Sequence, residues 1–201
     1  MSRRMKTASS DAVLRLVLTA FLTAIVGVLS YFGGFIKIGG LASISLTLVP
    51  VVLGGALLGP KTGAWLGAVS GAVFFLTADA VFWFSLSIFG TILTVMVKGT
   101  VAGLCAGLLF RLLEGKNRYL AMLTAAAACP LINTGIFLLG CLLFFFDAVT
   151  SMASDAGKTT FAFMILVFVG LNFVFELLLN LLLSPALVRL VDLGKRELAK
   201  K

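Results

Sequence analysis

GGALLGPKTGA, residues 54–64, separates two very different readings of this chain. Gly54 and Gly59 stand at the gap of a phosphate-cradling loop, in which Gly, four residues and an adjacent Gly-Lys-Ser/Thr wrap backbone N–H groups around phosphates. Here Pro60 separates Gly59 from Lys61. Proline has no N–H to donate and fixes its own φ, so the nest of amides cannot form in the usual way. The flanks are apolar on both sides, with LVPVVL before and WLGAVSGAVFFL after. The stretch reads as a tight cytoplasmic turn between two short membrane spans, Pro60 breaking the helix and Lys61 holding the turn inside. No other stretch resembles a nucleotide site, so ATP-powered transport by this chain requires a partner that brings the ATP.

Composition agrees with the membrane reading. Hydrophobic residues make up 61% of the 201 residues and charged residues 12%, against roughly 25% charged in soluble domains. Apolar runs approaching the roughly 20 residues that cross a hydrocarbon core recur along the chain. Six are expected, over 11–32, 45–59, 62–77, 88–113, 119–146 and 160–192. The expected fold is therefore an all-α membrane protein with six transmembrane helices. A basic N-terminal segment (1–10) and a basic tail (193–201) flank the membrane domain (11–192). The first run is too long for a cleaved signal peptide and lacks a small-residue cleavage site after it.

The net charge of +8 reports topology. Arg3, Arg4, Lys6, Arg15, Lys61, Arg111, Lys116, Arg118, Arg189, Lys195, Arg196, Lys200 and Lys201 fall on one side of a six-span chain. Lys37 and Lys158 fall on the other, with Asp79, Asp147 and Asp155. The excess of Lys and Arg places both termini in the cytoplasm, and no nucleic-acid partner is expected.

The chain has no His, which removes Ser-His-Asp catalysis, Cys-His pairs and the usual zinc sites. Cys105, Cys129 and Cys141 stand singly in apolar runs without C-x-x-C spacing and read as small buried hydrophobes. Glu176 is the one acid well inside a span. No catalytic residue, metal or cofactor is expected, and the chain does not read as an enzyme.

Gly63, Gly67 and Gly71 recur every four residues, as do Gly99, Gly103 and Gly107. Each set makes a smooth helix face for close backbone approach. Ala20 and Ala24 form a similar face on the first span, suited to internal packing or to a partner helix.

Polar groups inside a membrane are costly and face the protein interior or a wet cavity. Lys98, Asn133, Asn172, Glu176 and Asn180 are the candidates, the last three spaced by four along one side of the sixth span. Lys98 and Glu176 each lie thirteen residues before a cytoplasmic arginine, Arg111 and Arg189, so both sit roughly 20 Å above the inner charged boundary. Asn133 comes out at roughly 22 Å, Asn172 near ~26 Å and Asn180 near ~14 Å. Two readings follow. Lys98 and Glu176 either bolt helices together as a buried ion pair, or form a ligand pocket open to the outside with Asn133 and Asn172 as donors and acceptors. Among the outer segments, YFGGFIKIGGLAS places Gly33, Gly34, Gly39 and Gly40 around Phe35 as a hinged flap requires. Trp83 in ADAVFWFS either anchors at the interface or stacks on a ring-bearing ligand. DAVTSMASDAGK reads as an ordinary polar loop.

These features resemble the substrate-binding S components of energy-coupling factor (ECF) vitamin transporters. The resemblance covers nearly the whole chain and rests on ISLTLVPVVLGGALLGPKTGAWLGAVSG, the Ala20-x-x-x-Ala24 pattern, CPLINTGIF and six spans with internal termini. It implies a vitamin-capturing subunit of a prokaryotic plasma membrane that joins a membrane coupling subunit and two cytoplasmic ATPases. It also implies that Ala20 and Ala24 face the coupling subunit, that the loop after the first helix closes over substrate, and that spans four to six carry most ligand contacts. Lys98 suits a carboxylate and the asparagines suit amides or hydroxyls. That favours a pantothenate-type substrate, with folate, a cobalamin precursor and riboflavin as alternatives. A ligand-free structural membrane protein and a self-sufficient secondary carrier are the competing classes. No internal repeat of the kind carriers show is found.

Overall fold

The computed structural model describes residues 2–33 and 46–199, and the side chains of residues 2–11, 171, 172 and 199 fall outside that description. The described chain is an all-helical membrane protein. Helix α1 (Ser2–Gly33) is followed by α2 (Leu48–Leu58) and α3 (Pro60–Phe74). Gly59 alone joins α2 to α3, with φ 107° and ψ 168°. A Cβ makes that conformation unfavourable, and Pro60 at the first position of α3 needs no N–H partner there. The quoted turn is as tight as a helical hairpin allows.

A three-residue break and an 84° bend lead from α3 into α4 (Ala78–Leu86). Helix α5 (Ile88–Leu113) starts at Ser87, whose Oγ accepts from Gly90 N at 3.1 Å. Helix α6 (Arg118–Phe144) starts at Asn117, whose Oδ1 accepts from Tyr119 N and Leu120 N at 2.9 and 3.1 Å. Such caps satisfy otherwise orphaned amides of the first turn. Helix α7 (Phe146–Asp155), the single turn α8 (Thr160–Phe163), a π-helical segment (Met164–Val169) and α9 (Gly170–Ala199) complete the chain.

Each of the six expected apolar segments is mostly helical over its described residues. Four stretches are long and apolar enough to cross a membrane: Ala12–Gly33, Ile88–Leu113, Arg118–Phe144 and Thr160–Leu198. The bent α3–α4 pair makes a fifth if taken as one span. Helix α2, with 11 residues, rises about 16 Å, near half of a hydrocarbon core of about 30 Å. It lies against α3, α5 and α9 with Leu48, Val51, Val52 and Ala56 buried.

One local expectation is corrected. DAVTSMASDAGK is largely helix α7, because Val149 and Ala153, one turn apart, bury against Phe145 and Phe163 while Asp147 and Asp155 stay exposed. An aspartate in the first turn also suits the helix dipole. Residues 2–10 continue α1, and residues 193–199 continue α9.

The basic end of the bundle is packed backbone to backbone. A Cβ added at Gly63 would strike the Gly103 carbonyl, and one at Gly67 would strike the Gly99 carbonyl. One at Gly107 would come within 2.7 Å of Pro60 Cα. Both glycine faces therefore serve the α3–α5 contact. Ion pairs join the inner ends of the helices: Lys195 of α9 to Glu114 after α5, and Arg118 of α6 to Asp192 of α9 at 2.5 Å. The opposite end is packed by rings, with Phe145, Phe163 and Phe168 in a separate buried cluster.

Candidate functional site

Between the two packed ends lies a chamber of about 160 Å³. Lys98 of α5, Asn133 of α6, Glu176 of α9 and Trp83 of α4 all line it, as does Gly33 at the end of α1. The depth count along separate helices thus corresponds to one space.

Lys98 is half-buried, with Nζ 5.1 Å from the Phe137 ring centroid and 5.9 Å from that of Phe74. Ring faces attract an ammonium group held this close, more strongly where water is excluded. Glu176 is 4% exposed. Lys98 and Glu176 line the same chamber from α5 and α9. Asn133 follows buried Pro130 by three residues within α6. Trp83 is the hub of the ring cluster, 5.4 Å from Phe137, 5.2 Å from Phe145 and 5.8 Å from Phe168 between centroids.

Other expected site residues stand apart. Gly34, Phe35, Gly39 and Gly40, and the side chain of Asn172, lie outside the described residues. Ala20 and Ala24 are exposed on α1, away from the chamber. Trp65 of α3 borders that face, 55% exposed, its Nε1 donating to Thr23 Oγ1 at 3.2 Å. Asn180, 0% exposed, is absent from the chamber lining and donates through Nδ2 to the Glu176 carbonyl at 2.9 Å.

A set of hydroxyls escaped the sequence reading. Ser30 donates to Ser70 at 3.0 Å, and Thr47 and Ser70 share a hydrogen bond at 3.3 Å, tying α1 and α3 to the residue before α2. Thr91 Oγ1 lies 2.8 Å from the Trp83 carbonyl and 2.7 Å from that of Ser87, which staples α4 to α5. Thr94 also lines the chamber. Among the described residues no cluster of three or more His, Cys, Asp or Glu could hold a metal ion.

A family profile described as "ECF transporter, substrate-specific component" matches residues 14–188. The chain belongs to this family. Neither curated proteins nor solved structures gave a match. As an ECF substrate-specific component, the protein is a multi-pass subunit of the prokaryotic plasma membrane. Members of the ECF family bind substrate for transport and are not enzymes, and they work with an energy-coupling module.

Proposed function

We propose that this subunit captures a vitamin or related micronutrient in the chamber bounded by Lys98, Asn133, Glu176 and Trp83. Their convergence from four helices on one space supports the reading most directly. Each polar group is costly in a membrane interior unless it serves a cavity or a partner. A carboxylate-bearing ligand fits Lys98, and amide or hydroxyl groups on it fit Asn133, so a pantothenate-type substrate is favoured. Folate, a cobalamin precursor and riboflavin are the alternatives. The segment from Gly33 to Gly40 would close over the ligand, with Asn172 adding a contact. ATP would be hydrolysed by two partner ATPases joined through a membrane coupling subunit that seats on Ala20 and Ala24.

Mass spectrometry of small molecules that co-purify with the protein tests the substrate directly. Lys98→Ala and Glu176→Ala should each weaken binding of that molecule by about tenfold or more while the protein stays folded, because each removes a charged partner in a low-dielectric site. Unchanged affinity in a folded Glu176→Ala protein would instead assign the two charges to holding helices together.

A further inference from the structure

We propose that Thr94 is a specificity-determining residue, whose hydroxyl acts with the Lys98 ammonium to receive a carboxylate of the captured ligand. The proposal rests on the chamber's being the capture site and goes further by naming a second residue that receives the ligand's carboxylate.

Hydroxyls in apolar helices normally turn back onto the carbonyl four residues earlier. Thr19, Thr23, Thr91 and Thr124 all do so here, at 2.7–3.0 Å. Thr94 does not. It is 5% exposed and lines the chamber, and no group among the described residues partners its Oγ1. Gly140 of α6 leaves room for this side chain, because a Cβ there would collide with both Cγ2 and Oγ1 of Thr94. A buried hydroxyl without a partner costs stability, and a valine of the same shape would avoid that cost. A ligand that accepts a hydrogen bond from the hydroxyl would offset that cost.

The ligand chemistry follows from the neighbour. Lys98 is four residues further along α5, on the same helix face, and lines the same chamber. An ammonium and a hydroxyl one turn apart offer two donors, and a carboxylate offers two acceptor oxygens. Hydrogen bonds to an ionised acceptor are the strong ones. A site with this donor pair rejects an otherwise identical ligand lacking the charged acceptor, because its own polar groups would stay unsatisfied.

Calorimetry on the full-length protein in detergent tests this. The probes are three acids with their neutral counterparts, pantothenate with panthenol, biotin with biotinamide and nicotinate with nicotinamide, plus riboflavin and thiamine, which carry no carboxylate. An acid should bind, with its counterpart at least about tenfold weaker. Thr94→Val should weaken the acid by about tenfold and leave the counterpart unchanged, so the selectivity ratio collapses while the melting temperature of the unliganded protein holds or rises. Thr94→Ser should keep the ratio. A general packing defect would lower both affinities together and leave the ratio intact. Thr94→Ala gives the same comparison should valine prevent folding. An unchanged ratio in Thr94→Val, or a neutral counterpart bound as well as its acid, overturns the anchor. Riboflavin or thiamine as the ligand also overturns the anchor but leaves vitamin capture standing. Binding by none of the eight, nor by folate or a cobalamin precursor in the same assay, overturns both.

Discussion

The two ends of the molecule are packed by opposite means. At the basic end, α3 and α5 meet through Gly63, Gly67, Gly99 and Gly103 with no side chain between the backbones. At the other end, α4, α6 and the π-helical segment meet through Trp83, Phe137, Phe145 and Phe168 at ring separations of 5.2–5.8 Å. Backbone against backbone has one geometry and no slack, whereas rings in edge-to-face contact can pivot and still touch. Helix α5 belongs to both regimes. Gly99, next to Lys98, abuts the α3 backbone, while Thr91 and Thr94 face the chamber. A ligand group at Lys98, as proposed, would therefore meet a rigid floor under a deformable roof.

The largest effect expected from breaking this contrast is at the floor. Gly67→Leu places a branched side chain against the Gly99 carbonyl, and overpacking against backbone should cost about 4 kcal/mol or more. Detergent-purified protein should be lost to aggregation in size-exclusion chromatography, and a normal elution profile would show that the seam can part. A smaller loss is expected at the roof. Trp83→Ala should cost about 2–3 kcal/mol by cavity formation at a half-buried ring. Its melting temperature should fall while the fold persists, and a collapse as complete as that of the glycine variant would erase the contrast. The smallest is on the outer face of α1. Ala24→Leu should stay within about 0.5 kcal/mol of the parent and bind ligand normally, but should fail to co-purify with the energy-coupling module. Normal co-purification would move the partner face elsewhere.

Much of this was legible because it depends on linear counts. A single Gly-Pro step marked the α2–α3 turn, and a four-residue glycine period marked the seam. Counting residues back from Arg111, Arg118 and Arg189 placed Lys98, Asn133 and Glu176 at one height. Depth is proportional to residue number along a helix, so three helices could be compared without knowing their neighbours. What stayed hidden depends on contacts across helices. Thr91 and Thr94 look alike in sequence, and the carbonyls around each decide which hydroxyl is engaged. The spacing of Thr94 one turn before Lys98 was the available signal. Helix α7 was masked by its polar composition, since Val149 and Ala153 reveal an inner face once Phe163 is placed opposite. The π-helical segment went unread in the sequence, and its Phe168 meets Trp83 at 5.8 Å between ring centroids.

The sequence holds two tryptophans, and the fold gives them separate posts. Trp65 looks outward beside the exposed alanines of α1, and Trp83 sits in the ring cluster above the chamber. The protein thus carries two native optical reporters, one beside the face proposed for the coupling subunit and one at the chamber proposed for the ligand. Replacing either indole with phenylalanine leaves a single emitter, so docking and loading can be followed as separate colour shifts in unlabelled protein.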